Sequence, residues 1–156
     1  MKLSRLTCQP NSRPFQMTPV KRLFDRYPAK KIIDPFPYPY QRDALEYLKS
    51  LPYECADRID FDPPYTLRQL KEVYDGLGIA LSQHETQHYW QDLNREIFRI
   101  LKPGGICIKF GYNTSKIHPS MEIIEQMNLC HGGPHHDTLI TVQFKGQVTL
   151  RGKGNE

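Results

Sequence analysis

Long apolar runs are missing from this chain. No stretch approaches the roughly 18 consecutive apolar residues that a membrane-crossing helix requires, and the mean hydropathy is −0.61. The start, Met1-Lys2-Leu3-Ser4-Arg5, is basic but lacks the apolar stretch of a secretory signal. Cysteine is scarce: Cys8, Cys55, Cys107 and Cys130 stand far apart with no C-x-x-C pair. That spacing argues against both a disulfide framework and a structural zinc site. No internal repeat is visible. The expectation is a soluble, cytoplasmic protein with no membrane partner. What the chain does have is size. At 156 residues it can bury roughly 70% of its unfolded surface, enough for one self-sufficient core.

Charge is unevenly placed. Residues 1–31 hold eight Lys/Arg against Asp25 alone, a balance of +7, whereas the remaining 125 residues sum to −3. A basic leading segment ahead of a mildly acidic body suits a polyanionic partner, because each neutralised phosphate releases condensed counterions. A solvated terminus would have the same composition. The first sixteen residues, rich in Pro, Asn, Arg and Ser, show no sustained period. We read residues 1–16 as a basic N-terminal arm, 17–150 as a single domain and 151–156 as a flexible tail.

Within the domain, strands and helices alternate. Thr18-Pro19 reads as a helix start, with a hydroxyl cap and proline at the first helical position; that helix runs to about Tyr27. Lys31–Asp34 reads as a short buried strand. The run Pro35-Phe36-Pro37-Tyr38-Pro39-Tyr40 excludes an ordinary helix or inner strand, since three prolines remove three backbone donors. A helix is expected over 43–51, a strand over 57–61, and helices over 67–75 and 85–101. A tight turn at Lys102-Pro103-Gly104-Gly105 should lead into an apolar strand, 106–110, covered on both faces. Further expectations are a helix over 121–127, a strand over 138–144 and a short edge strand over 148–150. The alternation points to an α/β fold with a mostly parallel sheet.

The informative residues are Asp62-Pro63-Pro64-Tyr65, directly after the strand at 57–61. In open α/β sheets ligands sit beyond the carboxyl ends of strands. Asp62 offers an acceptor, the Pro63 carbonyl a second, and Tyr65 a flat ring for stacking. Two acceptors and one aromatic face suit the exocyclic amine of a nucleobase. The tetrapeptide resembles the catalytic motif of the amino-methylating DNA methyltransferases, most closely the short, phage-type adenine-N6 enzymes. Other pieces of the same resemblance follow in order. Leu67-Arg68-Gln69 through Glu72 and Tyr74 to Gly78 is similar to the helix after that motif, and Leu101–Gly105 with Ile106–Phe110 to the next helix–turn–strand. His131-Gly132-Gly133 with His135, Asp137, Thr138 and Thr141-Val142 is similar to the C-terminal segment. Upstream, Phe15–Pro19 resembles the substrate-side motif, Asp34-Pro35-Phe36 the cofactor loop, and Asp43-Ala44-Leu45 the acidic motif facing the cofactor adenine.

The resemblance implies a Rossmann-like class I methyltransferase sheet, mostly parallel with an antiparallel C-terminal strand, and S-adenosyl-L-methionine as cofactor. It implies catalysis by Asp62, Pro63, Pro64 and Tyr65, with cofactor contacts at Asp34, Pro35, Phe36 and Asp43. The partner would be double-stranded DNA, touched by Arg13, Lys21, Arg22, Asn113 and Lys116, in a host cytoplasm if the source is viral. One departure stands out. Asp34 and Asp43 are nine positions apart, too few for the helix, strand and acidic ribose contact that separate these motifs in the family, and no Gly-x-Gly follows Phe36. Part of the N-terminal half of the sheet is therefore expected to be missing. A compact cofactor site, a pocket completed by a second copy or a recognition subunit, and a degenerate nucleic-acid-binding relic all remain open. Cytosine N4 is the nearest rival substrate.

Two histidine groups invite a metal. His84-Glu85-Thr86-Gln87-His88 matches H-E-x-x-H, but it falls at the beginning of a helix, with no third ligand at a familiar spacing. His131, His135, His136 and Asp137 flank Gly132-Gly133-Pro134, a turn that suits solvated histidines. Neither is read as a metal site.

Overall fold

A computed structural model describes residues 1–147. In chain order the elements are β1 (Lys2–Thr7), α1 (Thr18–Arg26), β2 (Ile32–Ile33), α2 (Ala44–Ser50), β3 (Ala56–Phe61), α3 (Leu67–Leu77), α4 (Gln83–Ile100), β4 (Leu101–Gly111), β5 (Glu122–Cys130) and β6 (Thr138–Phe144). A single 3-10 turn at Pro14–Gln16 precedes α1. The six strands form one sheet in the order β1-β5-β6-β4-β3-β2. Only β6 runs against its neighbours; every other pairing is parallel. The fold is thus α/β with a mostly parallel sheet and an antiparallel C-terminal strand. The two-residue β2 forms one edge, and among the described residues no strand lies outside it, as the short spacing between Asp34 and Asp43 requires.

Two cores flank the sheet. Val20 and Leu23 of α1 pack with Ile108, Phe110, Met127, Ile140 and Val142 on one face. Helices α2, α3 and α4 bury Leu48, Leu70, Tyr74, Leu93 and Ile97 against Ile59, Phe61 and Cys107 on the other. The i, i+4 spacing of Tyr89, Leu93 and Ile97 puts them on one stripe of α4. That helix starts with a capping box, in which Ser82 and Glu85 exchange side-chain-to-backbone bonds. On the α1 face, Arg58 donates to the carbonyl oxygen of Tyr27 at 2.6 Å, and its other nitrogens pair with Asp60 at 2.8 and 3.0 Å. The pair closes the C-terminal end of α1, and Asp60 neutralises a guanidinium that would otherwise be buried alone.

Several local expectations are corrected. The N-terminal arm is not a loop throughout: Lys2–Thr7 adds to β5 as a parallel edge strand, so its backbone donors and acceptors find partners that the sequence around them does not reveal. The segment read as a helix over 121–127 is instead β5. Glu125, Met127 and Leu129 are buried while Ile124, Gln126 and Asn128 are half-buried, a period of two; pairing on both edges, to β1 and β6, outweighs local helical preference. Met17, not Thr18, caps α1, and no side chain accepts there, because Met17 is drawn into the core. The expected turn at 102–105 becomes a bulge in β4: Ala56 pairs with Leu101 and Arg58 with Ile106. Gly105 is required at this bulge, since a Cβ there would lie 2.9 Å from the Asp57 carbonyl oxygen. The edge strand expected at 148–150 and the tail at 151–156 lie outside the described residues. Among the described residues no helix is long and apolar enough to cross a membrane.

Candidate active site

The parallel strand β3, next to the β2 edge, delivers Asp62–Tyr65 to the carboxyl end of the sheet, and two helices fasten the loop there. From α4, the Trp90 indole N–H donates to the Pro64 carbonyl oxygen at 2.7 Å. From α3, the Gln69 Oε1 accepts the Tyr65 backbone N–H at 2.7 Å, just after Thr66 caps that helix. Among the described residues no hydrogen bond reaches the Pro63 carbonyl. The Tyr65 hydroxyl donates to Asp62 Oδ1, and the Tyr65 ring meets Tyr112 edge-on with centroids 4.7 Å apart. The two side chains on which the sequence argument rests therefore converge.

Asp34, delivered by β2, joins them. Burial pushes the Asp62 carboxyl up to about 6, with the negative charge of Asp34 adding to the rise and the Tyr65 hydroxyl opposing it. Asp34 is likewise pushed up to about 6, mainly by burial; the Phe36 N–H, donating at 3.0 Å, pulls the other way. Two acids thus share a poorly hydrated corner. Burial also raises the Tyr65 phenol well above its ordinary value, so it remains a donor at any physiological pH.

Three cavities meet at this loop. One of about 250 Å³ is lined by Asp34, Phe36, Tyr38, Tyr40 and Asp62, with Arg13 at its wall. A second, of about 460 Å³, shares Tyr38, Tyr40 and Asp62 and adds Tyr65, Gln69 and Glu72. The third, about 390 Å³, lies against Pro63, Pro64 and Tyr65 and is walled by Trp90, Lys109 and Tyr112.

Placement of the remaining expected residues is uneven. Phe36 and Pro35 are buried behind the acidic cavity, and Phe36 packs on Phe61 with centroids 6.2 Å apart. Asp43 is elsewhere. Its Oδ1 caps α2, accepting from the Leu45 and Glu46 N–H groups, and also accepts from the Tyr74 hydroxyl at 2.8 Å; it lines none of the three cavities. The Arg13 guanidinium sits 4.8 Å over the Tyr38 ring. Lys21 and Arg22 are exposed on α1, where Arg22 lines a separate groove with Lys2 and Arg26. Asn113 lines the third cavity and accepts from the Ser115 N–H at 3.0 Å. Lys116 is exposed and lines none of the three.

The histidine groups are accounted for locally. Glu85 belongs to the cap of α4, and the rings of His84 and His88 lie 4.5 Å apart on its first turns. His131 bridges the Cys8 carbonyl and the Thr138 hydroxyl, each at 2.9 Å. Among the described residues no group of three His, Cys, Asp or Glu is arranged to hold a metal ion. Sequence reasoning missed Lys109, a charge inside an otherwise apolar strand, and the anchoring bond from Trp90. The interruption at Lys109 was the signal available.

No family model matches the chain, and no curated protein does. Among solved structures, the crystal structure of PH0851 superposes with a TM-score of 0.46 at 15% identity, covering 92% of this chain and 42% of that one. The protein yhhF from Escherichia coli, described as a candidate methyltransferase, superposes with a TM-score of 0.43 at 10% identity, covering 92% of this chain and 76% of its own. The chain therefore spans well under half the length of PH0851. Likeness of this degree carries no inference about cofactor or substrate.

Proposed function

We propose that this chain is an S-adenosylmethionine-dependent methyltransferase acting on the exocyclic amine of adenine, N6, in double-stranded DNA. One observation supports the reading: the Tyr65 hydroxyl meets Asp62 at the carboxyl end of β3, in a loop whose residues Asp62 to Tyr65 line one cavity and border an acidic, aromatic one. The residues present fit the cofactor's chemistry. Asp34 and Asp62 are half-buried acids, among the described residues no cationic side chain is bonded to either carboxylate, and Phe36, Tyr38 and Tyr40 supply rings beside them. A cationic ligand relieves that charge, and aromatic faces attract cations.

When bound, S-adenosylmethionine supplies a methyl group activated by a sulfonium. The chain's own residues bind and align. Asp34 and the rings of Phe36, Tyr38 and Tyr40 would hold the cofactor's cationic end. Asp62 would accept one amine N–H and the Pro63 carbonyl the other, leaving the nitrogen lone pair for the methyl, and the proton shed by the methylated nitrogen would pass to the Asp62 carboxylate. The Tyr65 hydroxyl holds Asp62 in place, and Trp90 and Gln69 hold the loop. Most of the acceleration then comes from alignment and preset electrostatics. The base must leave the duplex to reach this wall, at a cost of a few kcal/mol offset by stacking and edge hydrogen bonds.

A second reading is a relic of the fold that binds nucleic acid without catalysis. It is favoured by Asp43, whose carboxylate is engaged by the α2 cap and Tyr74 rather than facing a cavity. Calorimetry with S-adenosylmethionine and S-adenosylhomocysteine, with and without duplex DNA, separates the two. Micromolar binding together with labelled methyl appearing on adenine N6 supports the enzyme. Absence of binding in every combination leaves the relic. Binding only at high protein concentration assigns part of the pocket to a second copy, and label on cytosine N4 replaces the substrate.

A further inference from the structure

The third cavity contains a feature that the methyl-transfer chemistry leaves unused. Lys109, on β4, is nine-tenths buried. Its Nζ donates to the Ser115 carbonyl at 3.0 Å and to the Ser115 hydroxyl. An ammonium has three donors, so one remains. Among the described residues no carboxylate pairs with it, and the nearby Cys107 is a fully buried, neutral thiol. An ammonium held out of water with neutral partners is costly; of the other buried cations, one has an acid, and Lys145, like Lys109, has neutral partners but lines none of the three cavities. Arg58 is paired with Asp60, and Lys145 gives its Nζ to two backbone carbonyls, of Phe98 and Leu101. Unlike these, Lys109 lines an open cavity of about 390 Å³, with Asn94, Trp90 and Tyr112 around it.

We infer that this cavity is a nucleotide-phosphate site, in which Lys109 binds the anion, Asn94 assists, and Tyr112 and Trp90 flank the attached nucleoside. The ligand chemistry is a phosphate ester. It arises from two sources, the monoester of a free nucleotide or the diester of a strand lying across the Asp62–Tyr65 loop. Burial lowers the Lys109 pKa, the direction that a bound anion reverses. The inference does not depend on methyl transfer: a protein that never binds S-adenosylmethionine can still hold phosphate here.

The test is a titration of the full chain with inorganic phosphate, deoxyadenosine monophosphate and a deoxyadenosine dinucleotide carrying only a diester. Affinity is read by calorimetry, and the Lys109 side-chain carbon resonance by NMR with labelled lysine. The expected result is saturable binding of at least one ester, a shift of the Lys109 resonance with the same midpoint, and about tenfold or greater weakening in Lys109→Met. Tighter binding of the monoester assigns the site to a free nucleotide, and tighter binding of the diester to a strand. Ser115→Ala keeps the charge but loosens its anchor, and should keep affinity within about threefold. Equal loss in Ser115→Ala and Lys109→Met would overturn the assignment to the ammonium. So would saturable binding that leaves the wild-type Lys109 resonance unmoved, or no binding of any of the three. Because the resonance is read in the wild type, a Lys109→Met chain that fails to fold leaves the question decidable. S-adenosylmethionine binding, measured on the same samples, reports separately on the proposed catalytic reading.

Discussion

The two sides of the Asp62–Tyr65 loop carry opposite charge. On the β2 side, the half-buried Asp34 and Asp62 line one cavity and are both pushed up to about 6. On the β4 side, Lys109 is buried without an acid and is pushed down. Each side is electrostatically incomplete, and a ligand of opposite charge would complete it. The contrast shows how a single loop can face a cationic and an anionic ligand at once: the sheet edge keeps the two desolvated charges on different strands, so they do not cancel by pairing. Elsewhere Arg58 pairs with Asp60 and Glu125 with Arg26, while the buried Lys145 is satisfied by the Phe98 and Leu101 carbonyls.

The contrast can be broken most severely at its acidic side. Asp62→Ala is expected to reduce methyl transfer by about 10²–10³-fold while the chain stays folded, checked by label transfer alongside circular dichroism. Full activity in that variant would remove Asp62 from the proposed mechanism. Next in size is the pH dependence of stability. For an acid whose folded pKa lies above its unfolded value near 3.8, the folded state holds the proton more tightly. Stability is then greatest below about pH 4 and falls as pH rises through about 6. For Asp62 the loss is on the order of 2 kcal/mol, so urea melts of Asp62→Asn should show a flatter profile between pH 4 and 7 than the wild type. A variant profile as steep as the wild type's would place the charge strain elsewhere.

Trp90→Phe tests the wall between the two sides. It removes the 2.7 Å bond to the Pro64 carbonyl and keeps most of the packing. A stability loss of about 1 kcal/mol and a several-fold fall in methyl transfer are expected, measured by thermal melts and initial rates. The smallest effect is expected far from the loop. Lys21→Ala and Arg22→Ala, exposed on α1, should leave stability within about 0.5 kcal/mol. Each should reduce the salt slope of duplex binding by about one if it meets a phosphate; an unchanged slope would take α1 out of the DNA surface.

Legibility from sequence was uneven for physical reasons. The Asp62–Tyr65 loop was legible because a strand pattern ran straight into two prolines, a combination that places a carboxylate at a sheet edge. Asp34 was legible for the same reason, following a short strand and preceding Pro35. The motif around Asp43 is equally a helix N-cap, and its contacts are with the start of α2 and the Tyr74 hydroxyl. β1 and β5 were missed together, since neither makes sense without the other. Glu125 looks like a polar helix residue until Arg26 and Tyr27 from α1 are brought onto it.

Local chemistry alone determined the alternation of strands and helices, the helix caps at Asp43, Thr66 and Ser82, and the arrival of Asp62 and Tyr65 at the end of a strand. These rest on interactions between residues a few positions apart, which the order of amino acids specifies directly. Only the tertiary structure decided that Lys2–Thr7 pairs with a strand more than a hundred residues away, that Asp34 and Asp62 line one cavity, and that Lys109 is left without an acid beside another. Those outcomes depend on which surfaces lose water together, and desolvation belongs to the assembled sheet and not to any segment of the chain.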